Sequence, residues 1–379
     1  MVMSTQEPTN DRTNDRTSEP VQLREPSIAL TDLTSELLWL RILRAPALAL
    51  SPSRLLAGSI CAFLLGLVLT IVQWLGLFAK DIETIESHLS MVSQAFSESV
   101  AELDITWMFR SGMALINVVL NTIVQSPLLA LVVGLPMIAI LALAGGAISR
   151  SAAFEFAQGR FASSDDTLGF TLRRTRHFVG AVVGPILACA AIFLVIALGG
   201  LLLSVPVLDV LGSLLYGLGL ALGLLATIIV LLHLVALPMI VPALAIEGTD
   251  AFDAVQRSYA YVIAKPLRYA IYIIILTLVG VLAASLFSLI AYQSITLTQW
   301  AATLFSANAT ERAITGAGEL GATKAWAHDI INIWHTIIEL AIAGYAISLF
   351  FTSSTLLYLV TRRICDGQGI NEVWDGIGE

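Results

Sequence analysis

Hydrophobic and polar positions in this chain fall into long blocks rather than alternating at short periods. Leu55 to Phe78 carries no charged side chain. As a helix rising about 1.5 Å per residue, a block of that length crosses a hydrocarbon layer of roughly 30 Å. Similar blocks, nearly free of charge, follow at 127–148, 178–205, 210–237, 267–292 and 340–361. The pattern predicts an all-α polytopic membrane protein of about six transmembrane helices. Its membrane domain, 55–361, lies between an N-terminal segment, 1–54, and a short tail, 362–379. A turn through Pro206 and Asp209 makes helices three and four a tight antiparallel hairpin, and Pro238 and Pro242 are expected to end helix four. A loop of mixed character is expected from the end of helix five to about Trp334.

The polar stretches between blocks predict surface helices and one disordered tail. Residues 1–30, with a tandem NDRT at Asn10–Thr13 and Asn14–Thr17, are too poor in apolar side chains to order themselves. TDLTSELLWLRILR at Thr31–Arg44 mixes apolar and charged residues as an interfacial helix does, and Pro46 interrupts it. From Asp81 to Asp104 the positions Ile82, Ile85, Leu89, Val92, Phe96, Val100 and Leu103 form a stripe at helical spacing. The segment 111–126 carries Asn117, Asn121 and Gln125 on one helical face. It reads as re-entrant, as interfacial, or as the polar lining of a cavity.

The longest charged amphipathic segment between two blocks is Glu247–Tyr269, EGTDAFDAVQRSYAYVIAKPLRY. Thr249 or Asp250 can cap a helix there and Pro266 ends it. Phe252, Val255, Tyr259 and Val262 recur on one face, expected on the membrane or the bundle. Asp253 and Arg257 stand i,i+4, acid before base, and with Asp250 form a candidate docking site for a protein partner on the cytoplasmic face. Asp166, Leu168 and Arg173 keep the spacing of Asp250, Phe252 and Arg257, which suggests a duplicated unit of helix, surface elbow and helix.

Composition excludes a water-soluble globule: 57% of residues are hydrophobic, 13% are charged, and the mean hydropathy is +0.85. The net charge of −8 decides little, because orientation follows the placement of Lys and Arg. With the N-terminus inside, only Lys80, Arg110, Arg312 and Lys324 of the 20 basic residues fall outside. Trp74, Trp107, Trp300, Trp326 and Trp334 then mark the outer interface. Both termini are expected in the cytoplasm of a bacterium, across its inner membrane, with no cleavable signal peptide.

Candidate chemistry is sparse. His233 is the one titratable side chain well inside a block, so it is a candidate for proton relay or ligand binding, set against a hydrogen-bonded packing histidine. His335 and Glu339 stand i,i+4 with His328 nearby, half of a metal set or an interfacial pair. Cys61, Cys189 and Cys365 form neither a CxxC nor a His/Cys cluster. No GxxxxGK[ST], HExxH or GxSxG occurs, so no catalytic constellation, metal site or cofactor is expected, and nothing points to nucleic acid. Arg173, Arg174 and Arg176 suit anionic lipid headgroups or simply set topology. Gly180 with Gly184, and Gly219 with Gly223, offer small faces for close helix approach.

The elbow DAFDAVQRSYAYV with its Lys-Pro step, and the last block ending FFTSSTLLYLVTRRICDG, resemble a family of uncharacterised bacterial multi-pass membrane proteins. More distantly, the elbow is similar to that of the membrane domain attached to some bacterial glycerophosphodiester phosphodiesterases. The catalytic domain of those enzymes has no counterpart here, so the resemblance implies a fold and no activity. The elbow also resembles the cytoplasmic loop by which ATP-driven permeases dock their ATPase, but residues 254–258 read AVQRS where that loop has a glycine. The expected function is a non-enzymatic structural, assembly or lipid-associated membrane component. The alternative is a permease-like transporter subunit docking its partner at 249–265, and an intramembrane enzyme comes third.

Overall fold

The computed structural model describes residues 38–76, 78–102, 104–304, 313–316 and 322–374. Among these no strand occurs. The helices in chain order are α1 (Leu38–Ile42), α2 (Ala45–Ala49), α3 (Pro52–Trp74), α4 (Ala79–Ala101), α5 (Ile105–Gln125), α6 (Pro127–Gln158), α7 (Ser164–Arg173), α8 (Thr175–Leu202), α9 (Leu208–Glu247), α10 (Ala251–Ala264), α11 (Pro266–Thr303) and α12 (Ala322–Asp366). Six of them, α3, α6, α8, α9, α11 and α12, are long and apolar enough to cross a membrane.

Burial is concentrated at one end of the bundle. There the last turns of α6, α9 and α12 pack together, with Ile148, Met239, Ile240, Leu244, Leu356 and Leu357 enclosed. Toward the other end large apolar side chains stand outward, Val210 and Leu214 on α9 among them. α12 also crosses α3, and α8 lies along α9 as the expected hairpin.

Several elements run differently from their sequence expectation. α9 continues through Pro238 and Pro242 to Glu247. The Tyr269 hydroxyl donates to the Val235 carbonyl at 2.5 Å, next to Leu234, whose carbonyl loses its intrahelical donor at Pro238. α11 and α12 extend past the lipid-like blocks to Thr303 and back from Ala322, which shortens the loop expected up to Trp334. In α6 a π-helical turn, Ala130–Gly134, precedes Pro136 and takes up the break in its hydrogen-bond ladder.

The N-terminal segment 1–54 is not uniformly a tail. Residues 1–37 lie outside the described residues; α1 stops at Ile42, Pro46 stands in the first turn of the short helix α2 that follows, and Ala45, Leu48 and Ala49 are buried. Residues 81–101 lie on α4, which packs on α5; of the expected stripe Ile82 is buried and Leu89 exposed, and Leu103 lies outside the described residues. Asn117, Asn121 and Gln125 of α5 all face outward rather than into a cavity. The small faces also differ. A Cβ at Gly184, Gly219 or Gly223 would meet nothing within 4 Å. The close crossing is Gly58 of α3 against Gly344 of α12, where a Cβ on either glycine would overlap the other helix.

Candidate functional site

The densely buried end of the bundle gathers most of the charged chemistry, beginning where α9 stops. The last carbonyls of a helix lack intrahelical donors and carry partial negative charge. In α9 they are met from three directions: Arg150 Nη1 donates to the Ala245 oxygen at 3.0 Å, the Trp374 amide to Ile246 at 2.9 Å, and Arg174 to Gly248. Gly248 itself closes the helix at a φ of 63°, and its missing Cβ leaves the room that the Trp374 ring fills. Arg174, read in sequence as binding anionic lipid or setting topology, thus caps a helix end, as does Arg150.

Arg150 is held further by aromatic faces. Its guanidinium carbon lies 4.0 Å from the Phe170 ring centre, 4.9 Å from Phe154 and 5.7 Å from Trp374. Arg174 stands over Phe170 and Trp374 at 5.3 and 4.9 Å. Around these groups opens a cavity of about 580 Å³ between the two elbows α7 and α10. Arg150, Arg173, Arg174, Arg176 and His177 line it, with Asp166, Asp250, Thr249 and the rings of Phe170 and Trp374. Among the described residues, four guanidiniums and two carboxylates line it.

A second group of charges is buried beside it. Glu247 Oε1 accepts from Arg362 Nη1 at 2.5 Å and from the Tyr358 hydroxyl at 3.1 Å, and Arg257 approaches its other oxygen at 3.9 Å. Arg362 Nη2 also donates to the carbonyls of Gly369 and Glu372, which folds the chain after α12 back onto the bundle. Arg362, near the end of α12, is 1% exposed. Tyr261 of α10 donates to the Asp366 carboxylate, and burial together with that carboxylate raises its phenol above the usual range, so it remains a donor. A third pair, Arg54 and Glu155 at 2.6 Å, ties α3 to α6, with Arg54 also donating to the Leu48 carbonyl of α2.

The candidates chosen from sequence take definite places around this frame. Asp250 caps α10 by accepting the Asp253 amide at 2.8 Å. Asp253 and Arg257 form the i,i+4 pair at 3.0 Å, and both stay partly exposed. The buried face of α10, however, is Ala254, Ser258, Tyr261 and Val262. Of the four residues expected on one apolar face, Val262 turns inward and Phe252 outward, 77% exposed. His233 of α9 is buried, with Nδ1 3.0 Å from the Tyr259 hydroxyl of α10. It joins a long helix to an elbow, and burial pushes the Tyr259 phenol up to about 12.

His328 bonds the Ala313 carbonyl and Asn332, and among the described residues no three His, Cys, Asp or Glu side chains are grouped to hold a metal. The two elbows share a plan, each following a long helix closed by a left-handed glycine, Gly159 or Gly248, and each beginning at a side-chain cap, Ser163 or Asp250. Aligning those caps sets buried Thr167 and Thr171 against buried Ala254 and Ser258. Asp166 then matches Asp253, three positions from the register suggested by sequence spacing.

Together these features define an all-helical, multi-pass membrane type of protein with a basic recess at its most densely packed end. Comparison with protein-family models, curated proteins and solved structures gives no match.

Proposed function

We propose that this is a non-enzymatic, multi-pass component of the bacterial cytoplasmic membrane, structural or assembly-related and lipid-associated, whose cytoplasmic face holds anionic lipid headgroups. Both termini and both elbows lie on that face. The observation that carries this reading is the basic recess: its arginines stand at the end of the bundle where the outward apolar side chains of the elbows, Leu168, Leu172, Phe252 and Ile263, provide a surface for the bilayer. Several other charges of that end meet in ion pairs and caps, an arrangement suited to holding a shape. The resemblance of the elbow to membrane domains without a catalytic set agrees with that role.

Lipid analysis of the full-length protein extracted in mild detergent tests the proposal. Acidic phospholipids should be enriched in the co-purified lipid relative to the surrounding membrane. Bulk proportions would count against it.

A second reading, a permease-like transporter subunit, has one feature in its favour: Asp253 and Arg257 stay accessible on α10 within a plan of helix, elbow and helix that occurs twice. An ATPase co-purifying with the protein would move the balance to that reading.

A further inference from the structure

We infer that the recess between α7 and α10 is a phosphate site, in which Arg173, Arg176 and the Thr249 hydroxyl are the direct ligands and Arg150 and Arg174 supply a fixed positive wall. This deepens the headgroup reading and rests on it for the lipid as source; the phosphate chemistry stands on the recess alone.

The division of labour follows from what each arginine already does. Arg150, 5% exposed, and Arg174 are positioned by carbonyls of α9 and by the faces of Phe170 and Trp374, so their charge is fixed in place before any ligand arrives. Arg173 and Arg176 are exposed, and each uses only Nε, toward the Gly169 carbonyl at 3.2 Å and toward His177 at 3.3 Å. Their terminal nitrogens point a planar fork of donors outward, the geometry that matches phosphate oxygens in pairs.

Thr249 supplies an independent sign. Thr249 lines the recess, and its Oγ1 is buried with no hydrogen-bond partner. A buried hydroxyl left unsatisfied costs about 1–3 kcal/mol, a cost removed when an acceptor arrives. A phosphate oxygen is such an acceptor. Asp166 and Asp250 also face the cavity, and Asp250 is turned to the Asp253 amide as a cap. A volume of about 580 Å³ leaves room for the organic part of a phosphate ester against the Trp374 ring.

The test uses the full-length protein in detergent, with phosphatidylglycerol, phosphatidylcholine and inorganic phosphate as probes and native mass spectrometry as the readout. Wild-type protein should retain phosphatidylglycerol over phosphatidylcholine. Losing two charge-assisted contacts in Arg173→Gln/Arg176→Gln should weaken that retention by roughly tenfold or more. Lys265→Gln/Arg268→Gln, the same change in charge on the same face but outside the recess, should change it by less than about twofold.

Thr249→Val changes no charge and removes an unpartnered hydroxyl, so it should weaken retention severalfold while leaving the unfolding temperature unchanged or higher. Displacement of the lipid by inorganic phosphate, which then binds alone, would identify free phosphate as a ligand; no displacement would assign the site to the lipid headgroup. Equal loss in both double variants, with Thr249→Val behaving as wild type, would overturn the recess and leave diffuse headgroup attraction standing. No preference for phosphatidylglycerol and no bound phosphate in the wild type would overturn both.

Discussion

Glu247→Gln should cost about 3–5 kcal/mol of stability, the range for removing one partner of a buried ion pair. The carboxylate joins α9 to Arg362 and Tyr358 of α12 and to Arg257 of α10, and Arg362 continues to the carbonyls of Gly369 and Glu372. Without the charge, a guanidinium that is 1% exposed keeps only those neutral acceptors. Thermal unfolding in detergent should show a large downward shift. The double variant Glu247→Leu/Arg362→Met removes both charges and should lose clearly less than the sum of its single variants, because no charge is then left alone. An unshifted Glu247→Gln would mean that this network does not hold this end of the bundle together.

Gly58→Ala is the second large effect expected, and its cause is steric. A Cβ at Gly58 would overlap the Gly344 carbonyl oxygen, and one at Gly344 would stand 2.5 Å from the Ser59 amide nitrogen. Both obstacles are backbone, which no side-chain rotation relieves. Helices α3 and α12 would have to separate, at about 3 kcal/mol, the upper end of the usual overpacking range. Gly219→Ala on α9, where a Cβ meets nothing within 4 Å, provides the control and should leave stability unchanged. Thermal unfolding or resistance to proteolysis distinguishes the two variants.

The contrast between these glycines shows what could be read from the sequence. Spacing of small residues was visible in Gly219 and Gly223, but spacing does not say which helix lies opposite, and Gly58 and Gly344 are partners 286 positions apart. The six long helices were legible because an uncharged block of sufficient length has few alternatives in lipid. Their ends were not, since a proline inside an apolar block need not stop a helix, as Pro238 and Pro242 in α9 do not. The Asp250 cap and the Asp253–Arg257 pair are local, i to i+4 features, and both were readable. The recess was only half visible: Arg173, Arg174 and Arg176 cluster in sequence, whereas Arg150, Thr249 and Trp374 come together only through tertiary folding. The burial of Arg54 and Arg362 was not readable, because nothing in a one-dimensional pattern reveals that Glu155 and Glu247 lie against them.

All of the proposed headgroup chemistry depends on one placement, that the end of the bundle carrying the recess faces the cytoplasm. A paired reporter fused after Glu379, using one moiety active only inside and one active only outside, measures this directly. The chain after α12 folds back over that same end, where Trp374 lines the recess, so the fusion reports on the recess itself. Activity of the cytoplasmic moiety alone is expected; activity of the external moiety would contradict the orientation and remove the recess from the anionic inner surface.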